Sequence, residues 1–156
     1  MTVSNALQEH LNAQRIPFDV LMHSPTGSAA RSAQVSHVSG ECLAKAVVLK
    51  DDVGFLLAIL PATHHIRFDL LFKVMGRNLS MAPEAEASEL FVDCELGAFP
   101  PAGGAYGLEM VVERALEGKP DIYLEGGDHT CLVHVRGDDF ERLTRNAIHG
   151  RFSTHD

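Results

Sequence analysis

The sequence predicts a mixed α+β fold, with a central sheet of hairpin-connected strands and helices flanking it. Three observations carry this expectation. Two apolar runs, "AKAVVLK" and "FLLAILP", stand on either side of "DDVG" and read as a hairpin at the centre of a sheet. Three more short runs, "EMVVE", "DIYLE" and "CLVHV", follow in the second half of the chain. Helical patterns lie around these runs without the strict alternation of a βαβ chain.

The elements follow in order. "SNALQEHLNAQ" sets Leu7 and Leu11 four residues apart behind a Ser4 cap, which predicts an amphipathic helix ended by Ile16-Pro17. "FDVLMH" has a strand-like pattern. "SPTGSAARSAQVSHV" begins with turn and cap residues and predicts a small-residue helix that ends near Gly40. After the hairpin, "IRFDLLFKVMG" carries Ile66, Leu70 and Val74 at helical spacing and stops at Gly76. In "APEAEASELF", Pro83 opens a helix whose first turn holds acids, where the dipole favours them. "GAFPPAGGAYG" has too many Gly and Pro residues for a regular element and predicts a shaped loop. "GDDFERLTRNAI" closes the chain as a helix with Phe140, Leu143 and Ala147 facing inward.

Length and composition set the bounds. The 156 residues fit one domain over 1–156, large enough to bury its core without staples. Cys42, Cys94 and Cys131 are too few and too scattered for a disulfide framework, which points to a reducing compartment. The N-terminal segment lacks the pattern of a secretory signal, and no apolar stretch is long enough for a bilayer. A soluble cytoplasmic protein with no membrane association is the expectation. A formal charge of −8 argues against broad binding to nucleic-acid backbone but allows a small pocket for the end of a strand.

One residue interrupts the pattern. Lys45 sits between Ala44 and Ala46 in "CLAKAVVLK", on the strand face shared with Val47 and Leu49. A lysine there costs desolvation energy unless its ammonium reaches water, a partner or a ligand. Read locally, it is a snorkelling side chain near a strand end. Read functionally, it is a cation on a pocket wall, aimed at an anion or a polarised carbonyl.

The remaining polar candidates are less specific. The nine histidines include the adjacent pair His64 and His65, but no HxxxH or CxxC spacing occurs. His129 and Cys131 are expected to share a strand face without a third or fourth ligand, so no metal site is assigned. Ser24, His129 and Asp128 are the residue types of a hydrolytic triad, but no GxSxG elbow is present. "GGDHT", Gly126 to Thr130, reads as a tight turn whose alternative role is a polar histidine at a loop tip. "GAFPPAGG" reads as a rigid turn or as a backbone wall that approaches a ligand closely.

Taken in order, "HSPTGSAARSA", "LAKAVVLKDDVGFLLAILPA", "GAFPPAG" and "DIYLEGGDHTCLVHVRGDDFERL" resemble the YbaK/ProX family of prolyl-tRNA-synthetase-associated editing domains, the free-standing aminoacyl-tRNA deacylases. The similarity runs from about His23 to about Leu143, and Gly97, Pro101 and Gly103 match the family's G-x-x-x-P-x-G loop. Ala46 and Ala102 depart from common family choices. The resemblance implies a mixed central sheet curled into a barrel-like core, and hydrolysis of the ester between a wrong amino acid and the tRNA 3′-terminal adenosine. It gives Lys45 the catalytic role, and it gives substrate contacts to Gly97, Pro101, Gly103, Gly104, His129, Thr26 and His23. It implies no cofactor, the aminoacyl-tRNA acceptor end as partner and a synthetase as a further one. A non-catalytic module that binds aminoacyl-tRNA or a synthetase is the alternative.

Overall fold

The computed structural model describes residues 3–156. Ten strands form: β1 (Asp19–Met22), β2 (Leu43–Lys50), β3 (Phe55–Pro61), β4 (His64–Ile66), β5 (Ser80–Met81), β6 (Glu109–Glu113), β7 (Asp121–Glu125), β8 (Cys131–Arg136), β9 (Ile148–Gly150) and β10 (Ser153–His155). Five α-helices accompany them: α1 (Asn5–Ala13), α2 (Ala29–Val35), α3 (Phe68–Met75), α4 (Glu84–Leu90) and α5 (Gly137–Leu143). The main sheet runs β1-β8-β7-β2-β3-β6-β9, with β5 also paired to β2, and β4 pairs with β10 in a separate ribbon. It is mixed: β2 is antiparallel to β3 and parallel to β7, and β6 is parallel to both β3 and β9.

The expected central hairpin forms, with seven residue pairs from Ala44↔Pro61 to Lys50↔Phe55. Its turn is fixed by Asp51, whose carboxylate accepts from Val53 N (2.9 Å) and Gly54 N (3.2 Å) and takes a two-pronged contact from Arg77. The Arg77 guanidinium holds the Asp51 carboxyl well below the usual range.

Period-two alternation divides the apolar residues between two faces. Ala44, Val48, Leu57, Ile59, Val112, Leu124 and Val133 share one core with α1, α4 and α5. Leu49, Leu56, Leu60, Val111 and Phe152 pack with Leu71 of α3 on the other face, where Leu43 and Leu132 also meet Ala29 and Ala33 of α2. Lys45 belongs to this second face.

Helix boundaries follow local chemistry. Ser4 Oγ accepts from Leu7 N at 3.0 Å, and Leu7 and Leu11 are buried, as the spacing predicted. Gly76 ends α3 in the left-handed region (φ 68°) with its N–H on Phe72 O. Three expectations need correction. α2 stops at Val35 rather than near Gly40, because His37 takes the left-handed conformation (φ 56°) and Val38 N returns to Ala33 O. Ile66 is not helical; it pairs with Ser153 in the β4–β10 ribbon, and α3 begins beyond Arg67. Ala147 lies past the end of α5, although it still packs against the core.

Phe152, fully buried beside Leu71 and Val111, anchors the segment between β9 and β10 to the second face. Phe152→Ala is expected to lower unfolding free energy by about 3–5 kcal/mol, the usual loss for emptying a buried aromatic site. Urea denaturation measures this, and a loss below about 1 kcal/mol would show that the site collapses around the smaller residue.

Candidate functional site

Lys45 lies in the middle of a sheet face, between β7 on one side and β3 on the other. It is half-buried, and its ammonium has one long contact, to Ala62 O at 3.5 Å. Burial pulls its pKa below the ordinary lysine value, while the Asp156 carboxylate acts in the opposite sense. Asp156 is itself held by His65 Nδ1 at 2.8 Å. The cation is therefore poorly hydrated and weakly partnered, which strengthens its attraction for an incoming anion.

On the β3 side, Lys45 opens into a groove of about 270 Å³ whose walls include Val47, Leu60, Ile66, Phe68 and Met81. Phe68 and Met81 are 41% and 59% exposed, so an apolar surface stands uncovered beside the cation.

The β7 side is polar. Tyr123 pairs with Leu43 in parallel register and Glu125 pairs with Leu132 of β8, so Glu125 lies on the same face of the sheet as Lys45. Glu125 is 1% exposed. The "GGDHT" segment then turns the chain into β8: Asp128 Oδ1 accepts from Thr130 N (2.9 Å) and Thr130 Oγ1 (2.6 Å). His129 sits in the left-handed region (φ 63°) inside this turn, so it does not share a strand face with Cys131, which enters the opposite core. Its Nε2 bonds Leu96 O at 2.6 Å, and its Nδ1 has no hydrogen-bond partner, so no Ser24–His129–Asp128 relay is assembled.

The turn organises its neighbours. Thr26 N donates to His129 O and His23 N to Thr130 O, which lays the segment from His23 to Ser28 along the site. Thr26 Oγ1 and Ser32 Oγ of α2 bond at 2.6 Å. Gly97 faces the His129 ring: a Cβ there would stand 3.3 Å from Cε1, and its φ of 83° suits glycine. Lys45, Gly97, His129, Thr26 and His23 thus lie on or around one side of the sheet.

The other loop residues point elsewhere. Pro101 is buried, and the neighbouring Phe99 and Ala102 belong to the opposite core. Gly103 N donates to Met110 Sδ (3.2 Å), and a Cβ on Gly104 would strike His10 of α1. Gly103 and Gly104 thus lie where the loop packs against Met110 and against His10 of α1. Burial pushes the thiols of Cys94 and Cys131 up to about 12, which disfavours their thiolate forms. Among the described residues, no group of three or more His, Cys, Asp or Glu converges as metal ligands, and no helix is long and apolar enough to cross a membrane.

Glu125 is the residue that sequence reading missed. "DIYLEGG" looks like a strand with a solvated end, and only the register with β2 shows the carboxylate to be inside. Burial raises its pKa, while Ser32, His129 and His23 act to lower it, and the upward shift prevails. A carboxyl raised in the native state opposes folding as it ionises, from the ordinary value up to the raised one. Glu125→Gln is expected to gain stability on wild type as pH rises from about 4 to about 7, with the gain vanishing at the acid end. Urea denaturation across that range tests this, and a difference that does not change with pH would refute it.

Comparison with known proteins agrees with this architecture. No curated protein matches the chain. The crystal structure of hypothetical protein APE2540 superposes with a TM-score of 0.83 at 21% identity, covering 96% of this chain and 100% of that one. A structure described as a candidate trans-editing enzyme for prolyl tRNA synthetase gives 0.82 at 20% identity, covering 96% and 95%. A candidate signal transduction protein from Marinobacter aquaeolei VT8 gives 0.77 at 23% identity, with 96% of this chain matching 30% of that longer one. These likenesses establish the fold. The aminoacyl-tRNA editing domain matches residues 23–143, from the histidine that opens the site segment to the end of α5, and the chain belongs to that family.

Proposed function

We propose that the protein is a trans-editing deacylase that hydrolyses the ester of mischarged aminoacyl-tRNA. The observation that carries this reading is the weakly partnered, half-buried Lys45 ammonium between an apolar groove and a polar recess. An aminoacylated 3′ end has a matching order of parts: a flat base, a ribose with its phosphate, an ester carbonyl and an amino acid. The groove beside Phe68 and Met81 suits the base, since aromatic side chains stack on any nucleobase face. Lys45 then lies level with the phosphate and ester, where its charge favours the oxyanion that forms as the carbonyl is attacked.

Water is the nucleophile in this scheme. With Cys94 and Cys131 held as thiols, the attacking water is oriented by the site and by the substrate's own free ribose hydroxyl. It adds to the ester carbonyl, the ribose oxygen leaves and takes a proton, and free amino acid and tRNA result. The partner that fits is the acceptor end of aminoacyl-tRNA, delivered free or by a synthetase. A recess of this kind adds a second check on amino acids that a synthetase separates poorly by size.

The test is a panel of tRNAs carrying different amino acids, with release of free amino acid as the readout. Wild type is expected to deacylate a subset of the panel, and Lys45→Ala to slow that reaction by about 100-fold or more with an unchanged melting temperature. Equal rates for Lys45→Ala and wild type would remove Lys45 from the mechanism. Binding of aminoacyl-tRNA without turnover on any member would favour a binding module.

A further inference from the structure

Two buried glutamates in this sheet are treated in opposite ways. Glu113, 2% exposed, has both oxygens occupied: Oε1 accepts from Phe152 N (3.0 Å), Ser153 N (3.1 Å) and Ser153 Oγ (2.9 Å), and Oε2 from Ala115 N (2.7 Å). Glu125, 1% exposed, has no hydrogen-bond partner on either oxygen. A buried carboxylate without donors is costly, and a fold that satisfies one so fully leaves the other open for a reason outside its own packing.

Two more orphaned atoms accompany it. His23 Nδ1 lies 2.7 Å from Ser24 O and His129 Nε2 lies 2.6 Å from Leu96 O. A carbonyl only accepts, so both of these nitrogens carry the hydrogen, and in the neutral form each ring presents a bare lone pair at its other nitrogen. Those nitrogens, His23 Nε2 and His129 Nδ1, are buried and have no partner. Ser32, the hydroxyl that acts on Glu125, also bonds Thr26 Oγ1. The recess therefore collects three acceptor groups, with the Ser32 hydroxyl as the one donor that acts on Glu125.

We propose that Glu125, His23 and His129 form a recognition site for the α-ammonium of the esterified amino acid, so that the protein acts on aminoacyl groups with a free amine and rejects N-acylated ones. An ammonium supplies what the recess lacks, a positive charge and three N–H donors. N-acylation removes the charge and two of the donors and adds bulk. Glu125 also lies on the same face of the sheet as Lys45, so one aminoacyl group can present its ammonium and its ester to the same side. The inference rests on the deacylase reading for its substrate, but the recess can be tested without turnover.

The probes are 3′-deoxy-3′-(aminoacylamino)adenosines, stable amide analogues of the aminoacyl end, carrying glycyl, alanyl, seryl or cysteinyl groups, each with a free or an N-acetylated amine. Calorimetric titration is expected to show the free-amine form binding about 10- to 100-fold tighter for at least one member. Glu125→Gln and, separately, His23→Ala are expected to erase that preference while keeping a folded protein by circular dichroism. Equal affinity for free and acetylated forms, absence of binding by every member, or a preference that survives in both folded variants would each overturn the proposal. Rates on aminoacyl-tRNA and its N-acetylated form separate it from the deacylase reading. Turnover that ignores acetylation keeps the deacylase and sinks the ammonium site. Discrimination in binding with no turnover on any tRNA does the reverse.

Discussion

Strand β2 is hydrogen-bonded on both sides, to β3 across its whole length and to β7 at its start. A doubly paired strand leaves each side chain only a choice of face, and that choice is fixed by the period of two. Ala44, Ala46 and Val48 are committed to the core beneath α1, α4 and α5, so Lys45 must point to the other face. There it finds no close carboxylate, only Ala62 O at long range and the more distant pull of Asp156. The pairing sets Leu60 and the apolar groove on one flank of the lysine, and the strand alternation puts Glu125 of β7 on the same face of the sheet. A one-residue slip of β2 would bury the ammonium among leucines and valines and turn Ala44 and Ala46 toward the groove. The register that stabilises the hairpin is thus the one that builds the cleft.

The polar flank depends on a second constraint, the turn between β7 and β8. Its backbone is tied down from several directions: Ser4 N reaches Gly126 O, Glu95 N reaches Gly127 O, and Thr26 N reaches His129 O. These bonds join the N-terminal helix, the Gly-Pro loop and the segment before α2 to one five-residue stretch. A network among Ser4, Asp93 and Tyr106 secures the same region, with Tyr106 Oη 2.7 Å from Ser4 Oγ and 2.8 Å from Asp93 Oδ1. Loops held this firmly keep side chains in place without a closed core around them. That is the condition under which orphaned acceptors such as His129 Nδ1 persist instead of collapsing onto one another.

Sequence alone reached the parts of this arrangement that are written locally. The Ser4 cap, the Gly76 stop and the β2–β3 hairpin depend on residues within a few positions of one another. The β4–β10 ribbon joins residues nearly ninety positions apart in the chain, and its three-residue strands carry no pattern of their own, so Ile66 was read as helix. The site was legible to a similar degree. Lys45 stood out because a charge in an apolar run is conspicuous. Gly103 and Gly104 share a motif with Gly97, but only the packing shows that they lie against Met110 and His10 while Gly97 faces His129. Glu125 gave no signal, because a glutamate at the end of a strand is ordinary until the neighbouring strand is known.

Net charge brings these points together. A chain with 21 acidic and 13 basic residues gains little from the phosphate backbone of a long nucleic acid and repels much of it. On the proposed reading, discrimination must then come from the terminal residue itself, where a few desolvated contacts count for more than many exposed ones. The cleft has that character, with one cation in a poorly hydrated setting, an apolar wall, and acceptors shielded from water. A buried glutamate satisfied by its own fold, as Glu113 is, has nothing left with which to recognise a ligand, whereas the open acceptors of the recess do.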